Sequence, residues 1–401
     1  MTSEARRATG LAARAERFEF ESGYEIMIES RRLETAGREI VHLDFGEPDF
    51  PTPPHIVAAG EAALRAGHTH YTPAGGMREL RGAIAEHVRR TRGVEVEPEQ
   101  VVVSSGSTQV LLLVMLALLQ EGRRAVLPDP CYPIYRAMVQ LAGGGCVTVP
   151  LRPELDYRWD AGELGEALDG ASLLLLNSPS NPTGGVLTEA DLRDIAGLCQ
   201  RHDVHAVCDE VYADLVYEGA GAPSLLAQPG MADRTVYVDS LSKGYAMCGW
   251  RLGFAVAPLP LARRLEAMMM VAGLCAPSIA QVAAVEALRS PLSAGAVAAM
   301  RREFARRRDL MVGLLRGLPG VRCHRPAGAF YTFPDVAGTG QSDGDLARRL
   351  LREGGVAVLP GSMFGSHGAD HLRISYAASA AQIEEGLRRM AAVIEAPGSG
   401  G

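Results

Sequence analysis

Between about residues 100 and 260, short apolar runs alternate with Ala/Leu-rich stretches of helical length, and this alternation constrains the fold more than any other feature of the chain. Val101–Val103, Arg124–Leu127, Cys146–Val149, Ser172–Leu176, Val204–Cys208, Thr235–Val238 and Phe254–Val256 have the length and composition of buried strands. Helical stretches such as 107–121 and 188–202 separate several of them. The pattern predicts an α/β fold with a mainly parallel seven-stranded sheet. After about residue 290 it changes to a long Arg/Ala-rich helix, the run Ala329–Phe333, a helix near 343–353, the runs Val356–Val358 and Leu372–Tyr376, and a last helix near 379–395. A chain of 401 residues exceeds what one core organises, so a second, smaller α+β domain is expected. The expected division is an N-terminal segment 1–45 packing with the small domain, a large domain 46–290, the small domain 291–395 and a disordered tail 396–401.

Composition removes several classes of function. A net charge of −7 without a basic patch gives no electrostatic reason to expect nucleic acid or an anionic membrane as partner. The longest apolar run, Val110–Leu119, is too short to span a bilayer and reads as a buried helix. Seven scattered cysteines, with no CxxC pair, read as buried thiols of a reducing compartment. The first residues carry no apolar core of a signal peptide, and acidic residues interrupt their arginines; a cytoplasmic protein is expected.

In parallel sheets ligands bind beyond the carboxyl ends of the strands, so the polar residues that follow each apolar run are informative. Ser104–Gln109 joins a strand to a helix and offers backbone N–H groups at Gly106, Ser107 and Thr108 to an anion, or simply caps the helix. Asn177–Gly184 holds two Asn and two Pro, a stiff loop that either presents amides to a ligand or merely turns the chain. Asp209 directly follows a buried run and must find a cation or a donor, in a structural ion pair or in a catalytic role.

The next strand delivers Asp239–Lys243, a lysine among small residues with Arg251 eight positions on. A partly desolvated lysine is a nucleophilic amine suited to Schiff-base chemistry, and arginine with Ser240 suits a phosphate. An amine for an aldehyde, an arginine and serine for a phosphate and an aspartate for a ring nitrogen together point to pyridoxal 5′-phosphate.

At these residues the chain resembles the class I/II aminotransferases of the aspartate aminotransferase-like fold, the type I fold of pyridoxal-phosphate enzymes, from about residue 22 to 393. Leu43–Phe50 is similar to the family's GEPDF segment, Tyr71–Gly76 to its Y-x-x-x-x-G turn and Asn181–Gly184 to its NPTG loop; Asp209–Tyr212, Ser240–Gly253 and Arg373–Ala377 follow in order. The resemblance implies that Lys243 forms the internal aldimine and shuttles a proton, and that Asp209 keeps the ring nitrogen protonated. It implies further that Asn181 and Tyr212 bond the ring oxygen, that Tyr132 stacks on the ring, and that Gly106, Ser107, Thr108, Ser240 and Arg251 hold the phosphate. Arg373 would clamp the substrate carboxylate with Asn181 and Gly46. Tyr71 would reach the neighbouring subunit's phosphate in a homodimer, and Tyr24 would lie near the substrate side chain.

Two departures stand out. Thr108 occupies a position where several relatives have lysine, and the stretch Ala272–Ser278 lacks an arginine of the kind that binds a distal carboxylate in the family; this speaks against an acidic distinctive substrate, while glutamate as common donor, held by another residue, stays open. The implied reaction is ping-pong amino transfer from an L-amino acid to a 2-oxo acid. A β-lyase, oxidase or cyclase would use the same lysine and aspartate, and a DNA-binding regulator is disfavoured because no helix-turn-helix-sized unit precedes the GEPDF segment.

Overall fold

The computed structural model describes residues 15, 18, 24–219 and 221–396. Its strands are β1 (Val41–His42), β2 (Val101–Ser104), β3 (Arg124–Asp129), β4 (Gly145–Pro150), β5 (Leu173–Asn177), β6 (His205–Asp209), β7 (Thr235–Ser240), β8 (Gly253–Val256), β9 (Tyr331–Thr332), β10 (Val356–Ala357), β11 (Leu359–Pro360) and β12 (Leu372–Ser375). The seven expected strands form one sheet in the order β2-β8-β7-β6-β5-β3-β4, in which β8 alone runs antiparallel to its neighbours. Residues 173–176, 206–208 and 236–238 are almost wholly buried, as continuous apolar runs covered on both faces must be. Burying each such side chain contributes roughly 1.5–3 kcal/mol, before the chain entropy it opposes.

Local sequence sets the helices that cover the sheet. Thr188 caps the helix Glu189–Arg201: its hydroxyl accepts from Asp191 N at 3.2 Å, and the Asp191 carboxylate returns the bond to Thr188 N at 2.7 Å. Ser107–Leu118 is apolar on most sides and buries Val110, Leu111, Leu113, Val114 and Met115. Gly106 precedes it at φ +85°, a left-handed conformation that glycine adopts without a Cβ penalty.

The 26-residue helix Pro291–Arg316 leads into a three-stranded antiparallel sheet, β11-β12-β9, packed with the helices Asp343–Arg352 and Ala380–Glu395. β1 pairs in parallel with β10, and Glu29 of the helix Tyr24–Thr35 meets Arg352 at 2.7 Å, so the described part of the N-terminal segment packs on this region. The run 329–333 gives only the two-residue strand β9, because Ala329 takes φ +58° and bends the chain before it. β11 is a strand that the apolar pattern did not reveal. The tail residues 397–401 lie outside the described residues.

All seven cysteines are free, but the expectation that they are buried holds for only four: Cys146 is exposed on the edge strand β4, and Cys248 and Cys275 are partly exposed. Among the described residues no helix is long and apolar enough to cross a membrane.

Candidate active site

The register of the sheet aligns the informative strand ends. Asn177 lies opposite Asp209, Asp209 opposite Val238, and both Ser240 and Ser104 opposite Gly253. The chain therefore turns out of β2, β3, β5, β6 and β7 along one edge, where a cavity of about 560 Å³ opens. Gly46, Ser107, Thr108, Tyr132, Asn181, Asp209, Tyr212, Ser240, Lys243, Arg251 and Arg373 line it.

Lys243 stands on the short helix Leu241–Gly244, and its amine donates to Gly46 O at 2.5 Å. Burial pushes that amine below the usual lysine value, only partly opposed by Cys248 and Glu47. Asp209 lies under the cavity floor, where its carboxylate accepts from the Tyr135 hydroxyl at 2.7 Å and Val211 N at 3.3 Å. Burial outweighs both bonds and lifts it to about 6. Tyr212 bonds through its hydroxyl to that of Tyr331 at 2.9 Å, and burial raises its phenol well above the ordinary tyrosine value.

The cationic wall is formed by Arg251, held at φ +54° with Nη1 donating to Cys248 O at 3.1 Å. Among the described residues no carboxylate pairs with it. Gly106 lies directly behind: a Cβ there would overlap Arg251 Nη2. Ser240 offers less than expected from its position, since its hydroxyl already contacts Ser242 Oγ at 2.8 Å and Leu252 O at 3.0 Å. On the opposite side the Arg373 guanidinium lies 4.6 Å from the Tyr331 ring centre and 5.3 Å from that of Phe364, and Nη2 donates to Asp44 O. Two buried polar atoms in this cavity's walls, Asn181 Oδ1 and Arg373 Nε, have no hydrogen-bond partner among the described residues.

Two expected contributors do not line the cavity: Gly106 lies behind Arg251, and Tyr71 is 83% exposed outside the lining. The side chain of Tyr24 lies outside the described residues. Tyr331, Tyr135, Ser242, Cys248, Phe45 and Glu47 also line it without having been singled out in the sequence. Tyr135 carried a usable signal, one helical turn after Tyr132, whereas nothing local distinguishes Tyr331 within its apolar run.

Comparison with known proteins adds the family. Residues 38–390 match the family model described as aminotransferase class I and II. The chain is 39% identical over 360 residues to aromatic-amino-acid aminotransferase 2 of Thermococcus litoralis, covering 89% of this chain and 92% of that one. It is 40% identical to an arginine–pyruvate transaminase of Pseudomonas aeruginosa, with 88% and 90% covered. The solved structure of aspartate aminotransferase from Thermus thermophilus with maleate superposes with a TM-score of 0.92 at 35% identity, covering 96% of this chain and 99% of that one. The chain belongs to the class I and II aminotransferases, enzymes that use pyridoxal 5′-phosphate to transfer an amino group between an amino acid and a 2-oxo acid.

Proposed function

We propose that this aminotransferase works by a ping-pong cycle centred on Lys243, in which amino donor and oxo-acid acceptor use one cavity in turn. The single observation that carries the reading is one cavity lined by a desolvated lysine amine, by Arg251, which has no carboxylate partner among the described residues, by a second arginine, Arg373, and by the buried carboxylate Asp209. Bound there, pyridoxal phosphate supplies an electron sink for the substrate Cα.

The residues fit that group. Arg251 and the N–H groups of Ser107 and Thr108 would hold its phosphate, with Gly106 leaving room for the guanidinium and Ser240 fixing the turn. Asn181 and Tyr212 would bond its ring oxygen, Tyr132 would stack on its ring, and Asp209 would face its ring nitrogen. Lys243 is the covalent attachment point, and its Nζ, whose charged form burial disfavours, afterwards accepts and returns the substrate proton. Arg373 would take the substrate α-carboxylate bidentately, with Asn181 and Gly46 beside it. The partnerless Asn181 Oδ1 and Arg373 Nε support a ligand on this wall.

The exposed Tyr71, with Met270, Val271 and Leu274 also exposed, supports a homodimer in which Tyr71 reaches the partner's phosphate. Residues 46–290 would then be the cofactor domain and 291–395, with the segment before 46, the substrate-side domain. Tyr24, at the start of its helix, would face the substrate side chain. The free thiols support a cytoplasmic setting. The related enzymes differ in substrate, from aromatic amino acids to arginine, so the donor is left to experiment.

The test adds single amino acids to the loaded enzyme without any oxo acid. One equivalent of oxo acid per site, without ammonia, supports transamination; ammonia or a cleaved side chain under turnover would sink it in favour of a lyase or oxidase.

A further inference from the structure

The substrate-side arginine is held by a strap that is tied to the cofactor side of the cavity at one residue. The strap, residues 361–368, joins β11 to β12 and carries Phe364, whose buried ring lies beneath the Arg373 guanidinium. At its far end Asp129, the last residue of β3, accepts from three of its donors: Ser366 N at 3.2 Å, Ser366 Oγ at 2.8 Å and His367 N at 3.1 Å. Cys131 N donates to Phe364 O at 2.8 Å, directly before Tyr132. Asp129 is 1% exposed, and Arg136 compensates its charge at 2.9 Å. Gly365 makes the approach feasible: at φ +137°, a Cβ there would overlap both Asp129 Oδ1 and Arg136 Nη2.

We propose that Asp129 is a positioning residue for the amino-transfer reaction: by clasping Ser366 and His367 it fixes Phe364, and through it Arg373, relative to Tyr132. The carboxylate does not line the cavity. Its three donors belong to the element that carries the arginine's floor, whereas its own strand leads into the ring-facing loop. One buried anion thus sets the distance between the two halves of the site. A merely structural ion pair would need only Arg136, not two backbone N–H groups on a strap 237 residues away in sequence.

The inference rests on the reading of Arg373 as the carboxylate clamp, and a double-mutant cycle separates the two. Asp129→Asn keeps the shape but turns an NH₂ toward N–H donors, so the strap is expected to loosen and KM for the amino donor to rise about tenfold, with kcat and cofactor affinity changing less. Combined with Arg373→Ala, it should add little beyond Arg373→Ala alone. Additive effects, or a wild-type KM in Asp129→Asn while Arg373→Ala is impaired, would overturn the clasp and leave the clamp standing. An unchanged KM in Arg373→Ala would overturn both. If Asp129→Asn does not fold, Ser366→Ala removes one of the three bonds, and the same cycle is expected to give a rise of about threefold that is again non-additive.

Discussion

Replacing Asp209 with asparagine is expected to make the cofactor-free protein more stable as pH rises, even as it weakens cofactor binding. Burial lifts this carboxyl from 3.8 to about 6, against the lowering pull of the Tyr135 hydroxyl and Val211 N–H. A folded-state value above the unfolded one means that the folded chain binds the proton more tightly. The carboxyl's contribution to stability is therefore full below about 3.8 and lost as pH rises through about 6. From these two values the buried carboxylate costs about 3 kcal/mol at pH 8 and about half of that at pH 5. Asparagine has nearly the same shape and does not ionise, so the stability of Asp209→Asn relative to wild type should grow by about 1.4 kcal/mol between pH 5 and pH 8. Any pH-independent loss, such as a poorer bond to Tyr135, cancels in this difference. Urea denaturation of both apoproteins at the two pH values, followed by circular dichroism, reads it directly. A gap that stays flat or shrinks from pH 5 to pH 8 would show that burial does not hold this carboxyl up. A cationic ring nitrogen facing Asp209, as proposed above, would recover that cost, so the stabilised variant should bind cofactor less tightly.

Two further outcomes follow from particular contacts. Gly106→Ala places a Cβ against Arg251 Nη2, so the guanidinium must leave its place, and cofactor affinity should fall about tenfold, roughly 1.4 kcal/mol, in titrations of the apoprotein; an unchanged affinity would remove Arg251 from the proposed phosphate site. Arg92→Ala strands Glu210, buried beside it at 2.9 Å, and should cost roughly 3–5 kcal/mol in denaturant unfolding, part of it restored by adding Glu210→Gln; a loss of less than about 1 kcal/mol, the value of an exposed pair, would mean that water replaces the arginine.

The sequence alone determined the sheet and several of the residues that line the cavity, because both are written locally. Seven apolar runs announce buried strands, and the polar residues that end them, Asp209 and Ser240–Lys243 among them, are carried to one edge by the parallel register itself. The family resemblance added Arg373, which no periodicity marks. Only the tertiary structure decided what these groups touch. Tyr331 meets Tyr212 across 119 positions, Asp129 holds Ser366 across 237, and Arg373 reaches Asp44 O across 329. It also showed Ser240 already engaged within its own turn, and Tyr71 exposed and outside the lining of its own chain's cavity. Strand composition and turn chemistry act between neighbours along the chain, so they can be read in one dimension. Hydrogen-bond partners and desolvation depend on which distant segments pack together, and that is fixed only when the core closes.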